Sequence, residues 1–147
     1  MRNNAAMIPA VNWLAVVLAT VSSMIVGAVW YARPVFGRRW MRLVGLKEED
    51  TSRGAALPLI ITFAVSFLTA LVLAGTATIV QEFYAGNFLL DTVVTAVVLW
   101  IGFTAARLIT HDLFERRPSS LTILNLAHEL VTIVVMALII GAFGAPS

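Results

Sequence analysis

Four stretches of the chain are almost wholly apolar. Val11 to Tyr31 carries no charge, and its clearly polar positions are Asn12, Thr20, Ser22 and Ser23. Ala55 to Val80 is also uncharged. Phe88 to Ile109 holds Asp91 near its start and Arg107 near its end, and Leu121 to Phe143 holds Asn125, His128 and Glu129. Each stretch has about 20 residues or more, enough for a helix rising 1.5 Å per residue to cross a hydrocarbon layer of about 30 Å. Backbone groups in lipid must be satisfied internally, which segments of this length achieve as helices, and the alternation of a membrane barrel strand is missing. The pattern predicts an all-α membrane protein, a four-transmembrane-helix bundle that forms one domain over 1–147. The helices are placed at about 11–32, 55–82, 88–110 and 120–143. The first follows Arg2, but its run of about 20 apolar residues exceeds the about 7–15 of a signal-peptide core, so it is expected to be retained.

Punctuation agrees with these spans. Pro34 discourages continuation of the first helix, and Pro58 suits the first turn of the second. Asn87 or Asp91 is placed to cap the third helix, and Ser119 or Ser120 the fourth. Within the connection 33–54, Phe36, Trp40, Leu43 and Val44 recur at roughly helical spacing, with Arg38, Arg39 and Arg42 between them. This predicts a short interfacial helix in the first loop. Its apolar side, including Trp40, would lie in the acyl boundary and its arginines near lipid phosphate. The run Lys47-Glu48-Glu49-Asp50 then leaves the surface. A lipid-anchoring elbow and a docking surface for a soluble partner both fit this segment.

Composition sharpens the class. Hydrophobic residues make up 60% and charged residues 12%, against about 45–50% and about 25% in soluble domains. Mean hydropathy is +0.92. So small a body cannot bury that much apolar surface in water. There is no cysteine, which removes disulfides, thiolate metal sites and cysteine nucleophiles. The net charge of +2 reads as topology rather than nucleic-acid binding. Arg33, Arg38, Arg39, Arg42, Lys47 and Arg53 lie in 33–54, and Arg116 and Arg117 in 111–119, while 81–87 holds Glu82 and no basic residue. Basic residues collect in cytoplasmic loops. The two basic connections are therefore expected in the cytoplasm and both termini outside, in an inner or plasma membrane.

Apolar side chains gain little by leaving lipid for protein, so membrane helices associate through small residues and shared polar groups. Thr62, Ser66, Ala70, Ala74 and Thr78 recur every fourth position in the second helix, and Ala15, Ala19, Ser23 and Gly27 in the first. The third has Gly102 and Ala106, and the fourth Ala137 and Gly141. The first two helices are expected to touch tightly, or one of these faces to bind another copy of the chain.

The fourth helix holds the candidate chemistry. Glu129 lies roughly 12 Å into the core, counted from Leu121 at 1.5 Å per residue. An acid at that depth costs a few kcal/mol unless it faces protein or water. Thr122, Asn125, Glu129, Thr132 and Met136 share a stripe with His128 at its edge, and together span about 120° of the helix. Arg107 is the basic residue within a span, and its stem is long enough to reach toward Glu129 or back to the interface. Ser22, Ser23, Thr62 and Ser66 lie at matching depth. Two readings stand. In one, Glu129, His128, Asn125 and Arg107 form a hydrogen-bonded clasp that sets helix register. In the other, Glu129 and His128, supported by Asn125, Arg107 and Thr132, bind a proton, cation or small solute. His111 and Asp112 read as an interfacial pair. The spacing of His111 and His128 suits neither haem nor a hard metal ion, and no nucleophile motif or phosphate loop is present. No catalytic residue, metal or cofactor is expected.

Several local patterns resemble a known group. They are Asn12-Trp13-Leu14, Gly27 followed by Trp30-Tyr31, Phe36-Gly37, Trp40-Met41, Gly45-Leu46, and the acidic Glu48-Glu49-Asp50. Further along come Trp100-Ile101-Gly102-Phe103, Leu113-Phe114-Glu115 with Arg117-Pro118, and Asn125 with His128. Together they resemble the bacterial membrane-protein family called domain of unknown function 1761. The resemblance implies a small integral membrane protein with four helices. It implies no activity and assigns no role to Glu129 or His111.

The functional expectation is a non-enzymatic membrane protein that binds or moves a small solute or ion through the polar site. The alternative is a scaffold or interaction protein whose basic loop engages lipid or a partner. Reporter fusions test the orientation. Alkaline phosphatase fused after Ser147 is expected to be active and the same enzyme fused within 33–54 inactive; the opposite pattern would invert the protein.

Overall fold

The computed structural model describes residues 9–47 and 55–146. Among them are four helices long and apolar enough to cross a membrane and no strand. Helix α1 is Trp13–Trp30, and Asn12 caps it by accepting from the Ala15 amide at 3.1 Å. The chain breaks at Ala32, whose ψ of 143° is extended, and re-enters a π-helical turn at Arg33–Gly37 with Pro34 in its first turn. That turn runs into the short helix α2, Arg38–Val44, which ends at left-handed Gly45. The Gly37 amide reaches back to Ala32 O at 3.0 Å, and a β-carbon there would sit 2.2 Å from the Tyr31 carbonyl oxygen. The connection therefore needs glycine at this position. Glu48, Glu49, Asp50 and Arg53 of the first loop, and Arg2, lie outside the described residues.

Helix α3 is Ala56–Tyr84, and Ala85 closes it in the left-handed region. Asn87 caps the next helix by accepting from Leu90 at 3.1 Å. This helix, α4, spans Phe88–Phe114 and widens to a π-helix over Trp100–Ala105. It runs past the expected end at 110, through the polar turn His111-Asp112. Helix α5 is Ser119–Ala142. Neither Ser119 nor Ser120 caps it. Pro118 is the N-cap, and its carbonyl accepts from Leu121 and Thr122.

The four spans form a square in which α1 packs on α3 and α5, and α4 packs on the same two. The helix ends that flank both basic connections lie at one end, here called the basic end, and the start of α1 and the end of α5 lie at the other. The core is built from small side chains with a few large ones between them: Ala15, Val16, Ala19, Ala70, Leu73, Ala74, Ala96, Met136 and Ala137. Close backbone approach and dispersion contacts hold such an interface in lipid. Outward faces are apolar, with Ile60, Phe103 and Leu113 among the exposed side chains, as expected where the solvent is hydrocarbon.

The small-residue faces divide unequally. Ala15, Ala19 and Ser23 of α1 and Ala70, Ala74 and Thr78 of α3 are buried. Thr78 also donates to Ala10 O at 2.9 Å, which ties down the segment before α1. Toward the basic end the contact opens. No residue of α3 from 56 to 69 is buried, so Thr62 and Ser66 do not continue the interface. In α4, Gly102 and Ala106 face outward, and Thr92, Thr95 and Ala96 pack inward instead. In α5, Ala137 and Gly141 are both buried. A β-carbon on Gly141 would lie 2.8 Å from the Leu89 α-carbon, whereas one on Gly102 would meet nothing within 4 Å.

This contrast is testable. Gly141→Ala is expected to destabilise the protein by the about 1–3 kcal/mol typical of overpacking, seen as a lower melting temperature in detergent. Gly102→Ala is expected to be neutral or to stabilise by at most about 1 kcal/mol, the helix-propensity gain.

Candidate functional site

Because α3 stands off at the basic end, the four spans enclose a cavity of about 690 Å³ in that half of the bundle. Ser23, Gly27 and Tyr31 line it from α1 and its C-cap, Thr62, Ser66 and Thr69 from α3, Trp100 and Thr104 from α4, and His128, Glu129, Thr132 and Met136 from α5. The polar stripe of α5 therefore points inward, and Ser23, Thr62 and Ser66 meet it at the same depth.

The stripe divides by turn. At its start, Thr122 donates to Asp112 Oδ2 of α4 at 2.6 Å. One turn on, Asn125 Oδ1 accepts a long hydrogen bond of 3.5 Å from the Tyr31 hydroxyl. These two contacts tie α5 to α4 and to the end of α1. Beyond them, His128, Glu129 and Thr132 are left to the cavity. His128 Nδ1 is 3.3 Å from Glu129 Oε1, and its Nε2 is 3.5 Å from Thr132 Oγ1. The Thr132 hydroxyl donates to the His128 carbonyl at 2.8 Å, so its lone pairs face the imidazole. The Glu129 side chain is 47% exposed, and its one ionic neighbour among the described residues is His128.

Two features lay beyond sequence reasoning. His128 sits among aromatic rings, 5.0 Å from Tyr31 and 5.9 Å from Trp30. Those rings also carry α2 and the turn before it: Phe36 of that turn lies tilted against Trp30 at 4.6 Å, and Trp40 of α2 meets Tyr31 edge-on at 5.4 Å. Helix α2 is thereby seated on the wall of the site, with Arg38, Arg39 and Arg42 exposed. The available signal is the spacing of Trp30, Tyr31, Phe36 and Trp40.

Arg107 is exposed and does not line the cavity. The clasp expected among Arg107, Asn125, His128 and Glu129 is therefore divided, with Asn125 bonded to Tyr31 and Glu129 beside His128. Asp112 pairs with Thr122 and, at 3.8 Å, with Arg117 rather than with His111. Arg117 is held more closely by Glu115, at 2.6 Å. Among the described residues no three His, Asp or Glu side chains converge on one point.

A square of four apolar spans around a cavity whose mostly apolar wall carries a few polar side chains makes this a multi-pass integral membrane protein. A family model described as protein of unknown function (DUF1761) matches residues 14–141, and the chain belongs to that family. No curated protein and no solved structure matches it.

Proposed function

We propose that this protein binds, and thereby carries, a small solute or ion in the cavity beside Glu129 and His128. The observation that supports this reading most is a half-exposed carboxylate inside a hollow bundle, with a histidine as its one ionic neighbour among the described residues. A carboxylate at membrane depth is costly unless something is gained by keeping it. A register clasp would bury it against a partner, as Asp112 is buried against Thr122. The crowding of Arg38, Arg39, Arg42, Arg116 and Arg117 at one end supports an inner or plasma membrane location with that end in the cytoplasm and both termini outside.

The chain has no native cysteine, so single cysteines can report on the cavity. Ser66→Cys and Thr132→Cys are expected to react with N-ethylmaleimide in membranes, while Ala137→Cys, on a fully buried position, stays unreacted. At least one solute from a panel of inorganic cations, amines, carboxylates and sugars should protect Ser66→Cys. Adding Glu129→Gln should remove that protection. Unreactive cysteines at both sites, or protection indifferent to Glu129→Gln, would overturn the reading.

The second reading, a scaffold acting through α2, is supported by the exposed arginines on a helix seated against Trp30 and Tyr31. Alanine at Arg38, Arg39 and Arg42 together is then expected to weaken binding to vesicles rich in anionic lipid or to a partner protein. Unchanged binding would count against it.

A further inference from the structure

We propose that the solute is a lipophilic monovalent cation, an amine or quaternary ammonium with an apolar body, and that it reaches Glu129 sideways from the bilayer between α3 and α4. This inference rests on the cavity reading above and names its solute class.

Four of the hydroxyls that line the cavity offer it lone pairs. Ser23 donates its hydroxyl proton to Thr20 O at 2.7 Å, Thr62 to Pro58 O at 2.7 Å, Thr69 to Val65 O at 3.0 Å and Thr132 to His128 O at 2.8 Å. A hydroxyl has one proton and two lone pairs. With each proton given to its own helix, lone pairs are what remain for a solute. Glu129 adds a carboxylate, of which His128 takes one oxygen, and no Lys or Arg lines the space. The indole N–H of Trp100 is buried rather than open to it. A cation therefore finds a carboxylate and lone pairs together, with no cationic side chain on the wall to oppose it.

Size and wall chemistry argue against a bare metal ion. A hard cation needs a tight shell of about six or more oxygens, whereas these hydroxyls are spread over three helices around about 690 Å³. That volume falls in the range of about 300–1,000 Å³ that holds organic ligands. Trp100 and Tyr31 supply aromatic surface of the kind that attracts alkylammonium groups.

The path follows from a second hollow. An apolar groove of about 430 Å³ runs between α3 and α4 on the outer face, and Val65, Thr69, Thr104 and Ile133 line both it and the cavity. Leu68 and the 73% exposed Phe103 form its lips toward lipid. An apolar body lying in this groove would place its cationic head at Glu129 without crossing a polar barrier.

The test uses the full chain reconstituted in phosphatidylcholine vesicles, with tetraphenylphosphonium as the cation, tetraphenylborate as the anion and triphenylphosphine oxide as the neutral analogue. Saturable binding of the cation above the protein-free vesicle background is expected. Glu129→Gln should weaken it by about 10- to 100-fold, the loss of one charge-assisted contact, and Glu129→Asp should retain part of it. Val65→Trp, at a largely exposed position on the groove, should block it while the protein still folds. If the anion or the neutral analogue binds as well as the cation, is blocked by Val65→Trp and ignores Glu129→Gln, the cationic assignment is overturned and a cavity-binding function stands. If none of the three binds above background, or binding ignores both substitutions, the cation proposal falls, while the cysteine-protection experiment above decides the cavity reading separately.

Discussion

In hydrocarbon an apolar side chain gains little by exchanging lipid for protein, so a bundle of oily helices holds together where backbones can approach closely. In this protein that approach is confined to one half of the membrane. Ala15 and Ala19 of α1, Ala70 and Ala74 of α3, Ala96 of α4 and Ala137 of α5 pack around Val16, Leu73 and Met136. Nearby, Gly141 lets α5 lie against the backbone of α4 at Leu89. The cavity exists because this contact is not repeated at the basic end, where α3 carries Leu57, Ile60 and Phe63 toward lipid.

That division of labour explains how a small chain can keep a carboxylate inside a membrane. The closed half fixes the four helices, so the open half need not pack tightly. The polar stripe of α5 spends its first two turns on register, through Thr122 with Asp112 and Asn125 with Tyr31, and leaves the next turn free. His128 stands at the junction, in contact with Glu129 on one side and with the rings of Trp30 and Tyr31 on the other. Since Phe36 and Trp40 of the interfacial segment rest on those same rings, a displacement of α2 at the lipid surface has a short, packed route to the site.

Much of the architecture was legible in the sequence. The number of spans and their approximate ends follow from the length of each apolar run. The cap at Asn87, one of the two positions expected, follows from a side chain that satisfies an amide within one turn. The α5 stripe was legible because helical periodicity is local. Glu129, His128 and Thr132 share a face whatever the helix packs against, and that face had to avoid lipid. The role given to Arg107 was not recoverable. Depth alone brings Arg107 near Asn125, but its direction depends on the rotation of α4, where Trp100–Ala105 adopts a π-helix. The stripe of small residues in α3 misled for a related reason. A repeat of four continues along the helix, while contact requires a neighbour that stays beside it, and α3 does not remain against the bundle over its first turns.

What the sequence determined by itself was the solvent, the helix count, the interfacial segment and the polar face of α5, because each depends on a residue's own transfer energy or on the helix period. The tertiary structure alone decided that the four spans form a square, that small residues close only one half of it, and that Tyr31 rather than Arg107 reaches the α5 stripe. Those outcomes depend on how far apart two helices stand and how each is turned, which are properties of pairs of segments distant in the chain.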